Sequence, residues 1–229
     1  MLGRLAEKLR LEVFPERIEA YDISNLGSEH ITAGMVVAVD GKLAKSEYRS
    51  FTIKSLNFPD DYAAMTEALL RRMAHTKDVN SNMYASPDLI LLDGGAGHVS
   101  VIDTALRENG YSVPVFGMVK DEHHKTRTLV SPEGEIDISH FTDVFRFIYS
   151  LQEEVHRFTV NRMTKAKRKT LKTSSLEKIE GIGPAKAKKL LSHFKTITAI
   201  KKADINELRA VPGISEKDAA AIIKHYENK

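Results

Sequence analysis

The run Leu-Ile-Leu-Leu at 89–92 carries no polar alternation and ends at Asp93-Gly94-Gly95, which predicts a strand buried on both faces with a carboxylate at its end. RIEAYDIS at 17–24 predicts another strand. ITAGMVVAV and the following DGKLAKSEYRSFTIK predict two more, joined at Asp40-Gly41, a strong hairpin signal, and together these make a three-stranded antiparallel meander. From Asp60 to about His75 the spacing of Ala64, Leu69 and Met73 predicts a helix with Asp60 as its N-cap. A helix over 97–109, a strand in VPVFGMVK and a hairpin in TRTLVSPEGEIDI, turning at Pro132-Glu133-Gly134, follow. The strongest helical pattern runs from Thr142 to Arg162, where Val144, Ile148, Leu151, Val155 and Phe158 recur at alternating spacings of four and three.

Beyond that helix the pattern fades. TKAKRKTLK has no core-forming period and predicts a basic linker. The expected organisation is a residual linker at 1–16, an α/β body at 17–162, a linker at 163–173 and a small all-α domain at 174–229. The last segment repeats itself: IEGIGPAKAKKLL at 179–191 and VPGISEKDAAAII at 211–223 align 32 residues apart. Both are helix-hairpin-helix signatures, in which glycines allow a tight turn and amides at the start of the second helix face an anion. A DNA phosphate fits such a nest, so Gly181, Ile182, Gly183, Lys186 and Lys188 in the first copy, and Gly213, Ile214, Ser215 and Lys217 in the second, are the expected DNA-binding residues. One copy alone is equally well read as a helix-joining turn. Two copies in a basic tail favour nucleic acid, through backbone contacts with little base specificity.

Charge sharpens this division. Residues 1–156 hold 16 Lys and Arg against 24 Asp and Glu, a balance of −8, whereas residues 157–229 hold 18 against 7, a balance of +11. An acidic body with a basic tail suggests a polyanion held by the tail. The chain has 229 residues, 42% of them hydrophobic, enough for a sizeable core and a small second domain. The absence of cysteine excludes a disulfide framework and thiolate zinc sites, and the apolar runs are strand-sized, so a cytoplasmic chain with no membrane segment is expected. No heptad seam is present, and a monomer is expected.

Three antiparallel strands, a helix, a buried strand ending in Asp and further α/β units give the element order of a ribonuclease H-like mixed sheet flanked by helices. In that arrangement the first strand lies beside the Asp93 strand, which brings Asp22 next to Asp93. Two carboxylates at one sheet edge repel unless a cation sits between them, and hard oxygen donors suit Mg²⁺ or Mn²⁺. Each acid also has a plain structural reading. Asp22 could end its strand in a turn, Asp93 could cap the next helix, and Asp60-Asp61 read as an N-cap and a first-turn acid. His156 belongs to no metal-ligand spacing, so pattern alone gives it no special status. A nucleotide hydrolase with Asp93 as a Walker-type acid would need a phosphate loop, and none occurs.

RIEAYDISN, EYRSFTIK, DDYAAMTEALLRR, LILLDGGAGH, SLQEEVHRFTVNRMTKAKRK, SSLEKIEGIGPAKAKKLL and VPGISEKDAAAI, in this order, resemble the C-terminal half of the UvrC family, the incision components of bacterial nucleotide excision repair. The resemblance covers nearly the whole chain. It implies a metal-dependent endonuclease that makes the 5′ cut beside a lesion in double-stranded damaged DNA, working with UvrB, followed by tandem helix-hairpin-helix motifs. The catalytic aspartates it implies fall on Asp22 and Asp93, the catalytic histidine on His156, and a further functional aspartate on Asp61. Lys120 matches a basic position and is expected to touch the phosphate. Asp22, Asp93 and His156 are the implied metal ligands, with His156 also suited to proton exchange.

The departures matter too. Members ordinarily begin with a GIY-YIG nuclease module that makes the 3′ cut, a cysteine-rich stretch and a segment that binds UvrB; none is in this sequence, so a fragment or truncated gene making at most one incision is expected. DEHHKTRTL after Lys120 departs from the family's glycine- and base-rich wording, which puts substrate contacts there in doubt. The competing expectation is a catalytically silent DNA-binding and docking module.

Overall fold

The computed structural model describes residues 1–25, 31–53, 60–120 and 126–227. They form two compact units, residues 1–163 and 164–229. In the first, strand β1 (Arg17–Asn25) pairs antiparallel with β2 (Ile31–Val39), and β2 turns at Asp40 and Gly41, both at positive φ, into β3 (Lys42–Leu43). A 3₁₀ turn over Lys45–Glu47 interrupts the third strand of the expected meander, and β4 (Arg49–Thr52) then pairs with β2 again. On its other side β1 runs parallel to β5 (Leu89–Leu92), followed by parallel β6 (Val115–Lys120), then the antiparallel hairpin β7 (Thr126–Ser131) and β8 (Gly134–Asp137). The order β3-β2-β1-β5-β6-β7-β8 is the mixed, ribonuclease H-like sheet expected from the element order.

Helices cover both faces. Helix α2 (Asp61–Ala74), whose N-cap Asp60 accepts from Ala63 N at 3.0 Å, and α3 (Ala96–Glu108) pack on one face. There Ala64, Leu69 and Ile102 meet Tyr21, Met35 and Leu92. On the other face Ile148, Leu151 and Val155 of α4 (Thr142–Glu177) meet Ile18, Ala20 and Leu91. Each fully buried Leu or Ile in these layers contributes about 1.5–3 kcal/mol.

One expectation is corrected and another gains a definite conformation. Residues 1–16 are not a residual linker: α1 (Leu2–Leu9) buries Leu5 and Leu9 in the α4-side core, because an i, i+4 leucine pair gives even a two-turn helix an apolar edge to dock. Residues 163–173, expected as a basic linker, are helical, since α4 continues through them to Glu177. Lysine, arginine and alanine are good helix formers, so this stretch needs no apolar stripe to extend a helix already nucleated upstream.

One buried feature has no counterpart in the sequence pattern. Glu19 and Arg72 are wholly buried and paired, with Arg72 Nη2 2.7 Å from Glu19 Oε1. Tyr21 donates its hydroxyl to Glu19 Oε2 at 2.6 Å, Arg17 Nε donates to Oε1 at 2.9 Å, and Arg72 also donates to the carbonyls of Met83 and Ala85. The Tyr21 hydroxyl is held well above its ordinary pKa by burial and by the Glu19 carboxylate, so it stays a donor.

The second unit packs α5 (Pro184–Phe194), α6 (Ile197–Lys202), α7 (Ile205–Arg209) and α8 (Glu216–Glu227) around Leu176, Ile182, Leu190, Leu208, Ile214 and Ile222. Gly181 and Gly213, at φ 82° and 90°, make equivalent turns ahead of α5 and α8. The left-handed backbone is what demands glycine at both places.

Candidate metal and nucleic-acid sites

The register of the sheet builds the first site. Tyr21 lies opposite Leu92 in the parallel β1–β5 pair, and Asp93 N donates to Tyr21 O at 2.8 Å, so Asp22 and Asp93 emerge side by side at the carboxyl edge. From the α4 face, His156 completes the group. Its Nδ1 lies 3.2 Å from Asp22 Oδ2 and 3.9 Å from Asp93 Oδ2, and one donor atom from each of the three residues falls within 4.8 Å of the others. Lys120, at the end of β6, places its Nζ 3.6 Å from Asp93 Oδ2. The structure thus brings together Asp22, Asp93, His156 and Lys120.

Asp61 stands outside this group. Exposed in the first turn of α2, its Oδ1 accepts from Asn25 Nδ2 at the end of β1. Most of the segment DEHHKTRTL, residues 121–125, lies outside the described residues.

Gln152 is a residue of the site that sequence reasoning does not single out. Fully buried one turn before His156, it donates to Asp93 Oδ1 at 2.6 Å and to Met118 O at 2.9 Å, fixing the Asp93 carboxylate against the sheet. A polar residue adjoining the apolar stripe of α4 is the signal available. Two close approaches also shape the site. Gly34, paired with Asp22 across β1–β2, faces Thr159 of α4, and a Cβ at Gly34 would collide with the Thr159 hydroxyl. A Cβ at Gly117 would collide with the carbonyl of Gly94, next to Asp93. Both glycines are there for proximity, of helix to strand and of loop to strand.

The donor set passes a direct test for a cation. Asp22 is only 6% exposed, yet its Oδ2 finds no aligned hydrogen-bond donor among the described residues. Burial, then the neighbouring Asp93 charge, push its pKa up to about 6, opposed by His156 and Lys120. A divalent ion would remove both penalties at once, and two carboxylates with one imidazole offer it compatible ligands.

Residues 6–160 match the model of the UvrC RNase H endonuclease domain. The chain belongs to the UvrC family. Residues 173–227 further match a SAM-like helix-hairpin-helix tandem. The UvrABC system protein C of Acetivibrio thermocellus is 40% identical over 100% of this chain and 39% of its own length; that of Ruminiclostridium cellulolyticum is 42% identical over 98% and 38%. This UvrC-family chain therefore spans about two-fifths of the length of the curated relatives it matches. A solved structure of human endonuclease V superposes with a TM-score of 0.44 at 10% identity, covering 72% of this chain and 96% of that one. No helix among the described residues is long and apolar enough to cross a membrane.

In the helix-hairpin-helix unit, the geometry redistributes the expected DNA-binding residues. Gly181, Gly183, Lys188, Gly213 and Lys217 are exposed around the two turns. Ile182 and Ile214 are buried at 2% and 6%, and their amides donate to Ile179 O and Val211 O, so both are core anchors rather than ligand contacts. Ser215 and Asp218 form a reciprocal capping box on α8: Ser215 N donates to Asp218 Oδ2 at 2.9 Å, and Asp218 N donates to Ser215 Oγ at 3.2 Å. Lys186, the residue equivalent to Asp218 in the first copy, donates to both oxygens of Asp218 at 2.7 and 2.8 Å and to Gly181 O at 3.0 Å. The ammonium pulls the Asp218 carboxyl down to about 2.

Proposed function

We propose that this chain is a divalent-metal-dependent endodeoxyribonuclease that hydrolyses one phosphodiester on the 5′ side of a lesion in double-stranded DNA, together with UvrB, in cytoplasmic excision repair. The observation that carries this reading is the convergence of Asp22, Asp93 and His156 at the sheet edge, with a buried Asp22 oxygen that finds no aligned hydrogen-bond donor among the described residues. Asp22, Asp93 and His156 would hold Mg²⁺ or Mn²⁺, which supplies Lewis acidity and a more acidic water when bound. Gln152 keeps Asp93 oriented so that Oδ2 faces the centre. His156, half exposed, accepts or returns a proton at its imidazole. Lys120 brings positive charge to the scissile phosphate, and Asp61 with Asn25 lines the same end of β1. Gly181, Gly183, Lys188, Gly213 and Lys217 hold the duplex by its phosphates, with Ser215 shaping the second turn.

The test is a lesion-containing duplex carrying a pre-made 3′ nick, incubated with UvrB, Mg²⁺ or Mn²⁺ and either wild type or Asp93→Ala. The reading expects 5′ incision by wild type alone. Equal silence of both proteins would instead support a DNA-binding and docking module.

A further inference from the structure

Beside the metal-ligating edge stands an aromatic stack that neither core explains. Tyr62, in the first turn of α2, lies on His98, in the first turn of α3, with ring centroids 4.3 Å apart and planes 15° from parallel. The imidazole of His98 sits over Gly94, since a Cβ there would come within 2.9 Å of it, and Gly94 directly follows Asp93. Tyr62 directly follows Asp61, which holds Asn25 at the end of the strand bearing Asp22. The phenol also lies over Gly97, where a Cβ would reach within 3.0 Å of the hydroxyl. The stack therefore rises from the residue next to one carboxylate, and 45% of Tyr62 remains exposed at its top.

Burial does not account for this arrangement. The neighbouring apolar residues of α2 and α3 already fill the core, and neither Tyr62 nor His98 belongs to it. A planar ring presented half to solvent, backed by a second ring and placed at the edge where a phosphodiester would be cut, suits a flat apolar partner of similar width.

We infer that Tyr62, supported by His98, is the stacking platform for a nucleobase flanking the scissile phosphate. This rests on the nuclease reading above and deepens it. The phosphate at the Asp22–Asp93–His156 centre fixes one point of the strand, and stacking of an adjacent base fixes its direction. Every base offers a π face, so the platform tolerates any sequence, as lesion-directed cutting requires. His98 backs the phenol on the side of Gly94.

The incision assay above, run under single-turnover conditions with Mn²⁺, tests it. Tyr62→Ala is expected to cut about 5- to 150-fold more slowly, the loss that removal of one base–aromatic stack produces, while Tyr62→Phe stays near wild type. Two further duplexes each lack one of the bases flanking the cut. On one of them wild type and Tyr62→Ala are expected to cut at the same rate, a convergence that mere misfolding would not give. Mn²⁺ affinity, measured by electron paramagnetic resonance, is expected to be the same in both proteins. Undiminished cutting by Tyr62→Ala on intact duplex, or the same fold-loss on both base-lacking duplexes, overturns the platform while leaving the nuclease standing. Absence of cutting by wild type overturns both.

Discussion

Replacing Lys186 by alanine separates two roles for one ammonium group. Sequence reading gives it to a DNA phosphate, whereas the structure ties it to Asp218 and Gly181 O. The Asp218 side chain is 7% exposed and that of Lys186 35%, so the pair stands between surface bridges, worth about 0–1 kcal/mol, and buried ones, whose breaking costs about 3–5 kcal/mol. Loss of the pair is expected to destabilise the second unit by roughly 1–3 kcal/mol. Asp218→Ala should cost about 1 kcal/mol more, because the capping box on Ser215 goes with it. In the double variant the losses should fall short of additive, since each single change already removes the shared bond. Tyr226 is the one tyrosine among residues 164–229, so its ¹⁹F resonance in the fluorotyrosine-labelled chain, assigned with Tyr226→Phe, reports this unit alone in urea. In parallel, Lys188→Ala should lower the slope of log affinity for DNA against log salt by about 0.9, whereas Lys186→Ala leaves it unchanged. A lowered slope in Lys186→Ala with unchanged urea stability would refute this division of roles.

Four other outcomes are expected. Gln152→Leu frees Asp93 Oδ1 and should weaken Mn²⁺ binding about 10- to 100-fold by calorimetry, as lost outer support for a metal ligand does. Gly34→Ala pushes α4 off β2 at Thr159, less than one turn past His156, and should cost about 1–3 kcal/mol in urea unfolding and slow incision, with partial recovery in the Gly34→Ala/Thr159→Ala pair. Asp22 has a raised pKa in the folded, metal-free protein, so its ionisation opposes folding: its own contribution to stability is fullest below pH 3.8 and is lost as pH rises through about 6, a slope that Asp22→Asn should remove. Mn²⁺ affinity should climb over that same window, and a flat profile would exclude Asp22 as a ligand. Arg72→Met leaves the buried Glu19 carboxylate to Arg17 and Tyr21 and should destabilise the first unit by up to about 3–5 kcal/mol, read by circular dichroism in urea.

The element order makes the main site legible. A first strand laid parallel to the Asp93 strand forces Asp22 and Asp93 together, and the apolar stripe of α4 shows which helix covers them, even though His156 reads as a surface residue. Local signals are equally dependable at Asp40-Gly41 and at the Asp60 cap, where one or two residues decide the backbone. What escapes are pairings between distant residues. Nothing near Glu19 announces Arg72, and nothing near Gln152 announces Asp93. The Lys186–Asp218 bond joins equivalent positions of two repeats, which an alignment of one copy on the other treats as counterparts rather than as partners. The path of α4 beyond Arg162 is also hidden, because its lysine- and arginine-rich sequence leaves no apolar trace.

The charges beneath β1 bear on how the Asp22–Asp93 edge keeps its frame. Neighbouring positions of a strand point to opposite faces, so sliding β1 by a single residue against β2 and β5 would exchange its two sides. Glu19 would then turn towards the greasy layer under α4 and lose Arg72, while Asp22 would be driven in among the side chains of α2 and α3. An unpaired carboxylate in such surroundings is penalised far more heavily than a misplaced alkyl group. A buried ion pair that adds little to net stability thus acts as an alignment key, rejecting the single-residue slip that would part Asp22 from Asp93.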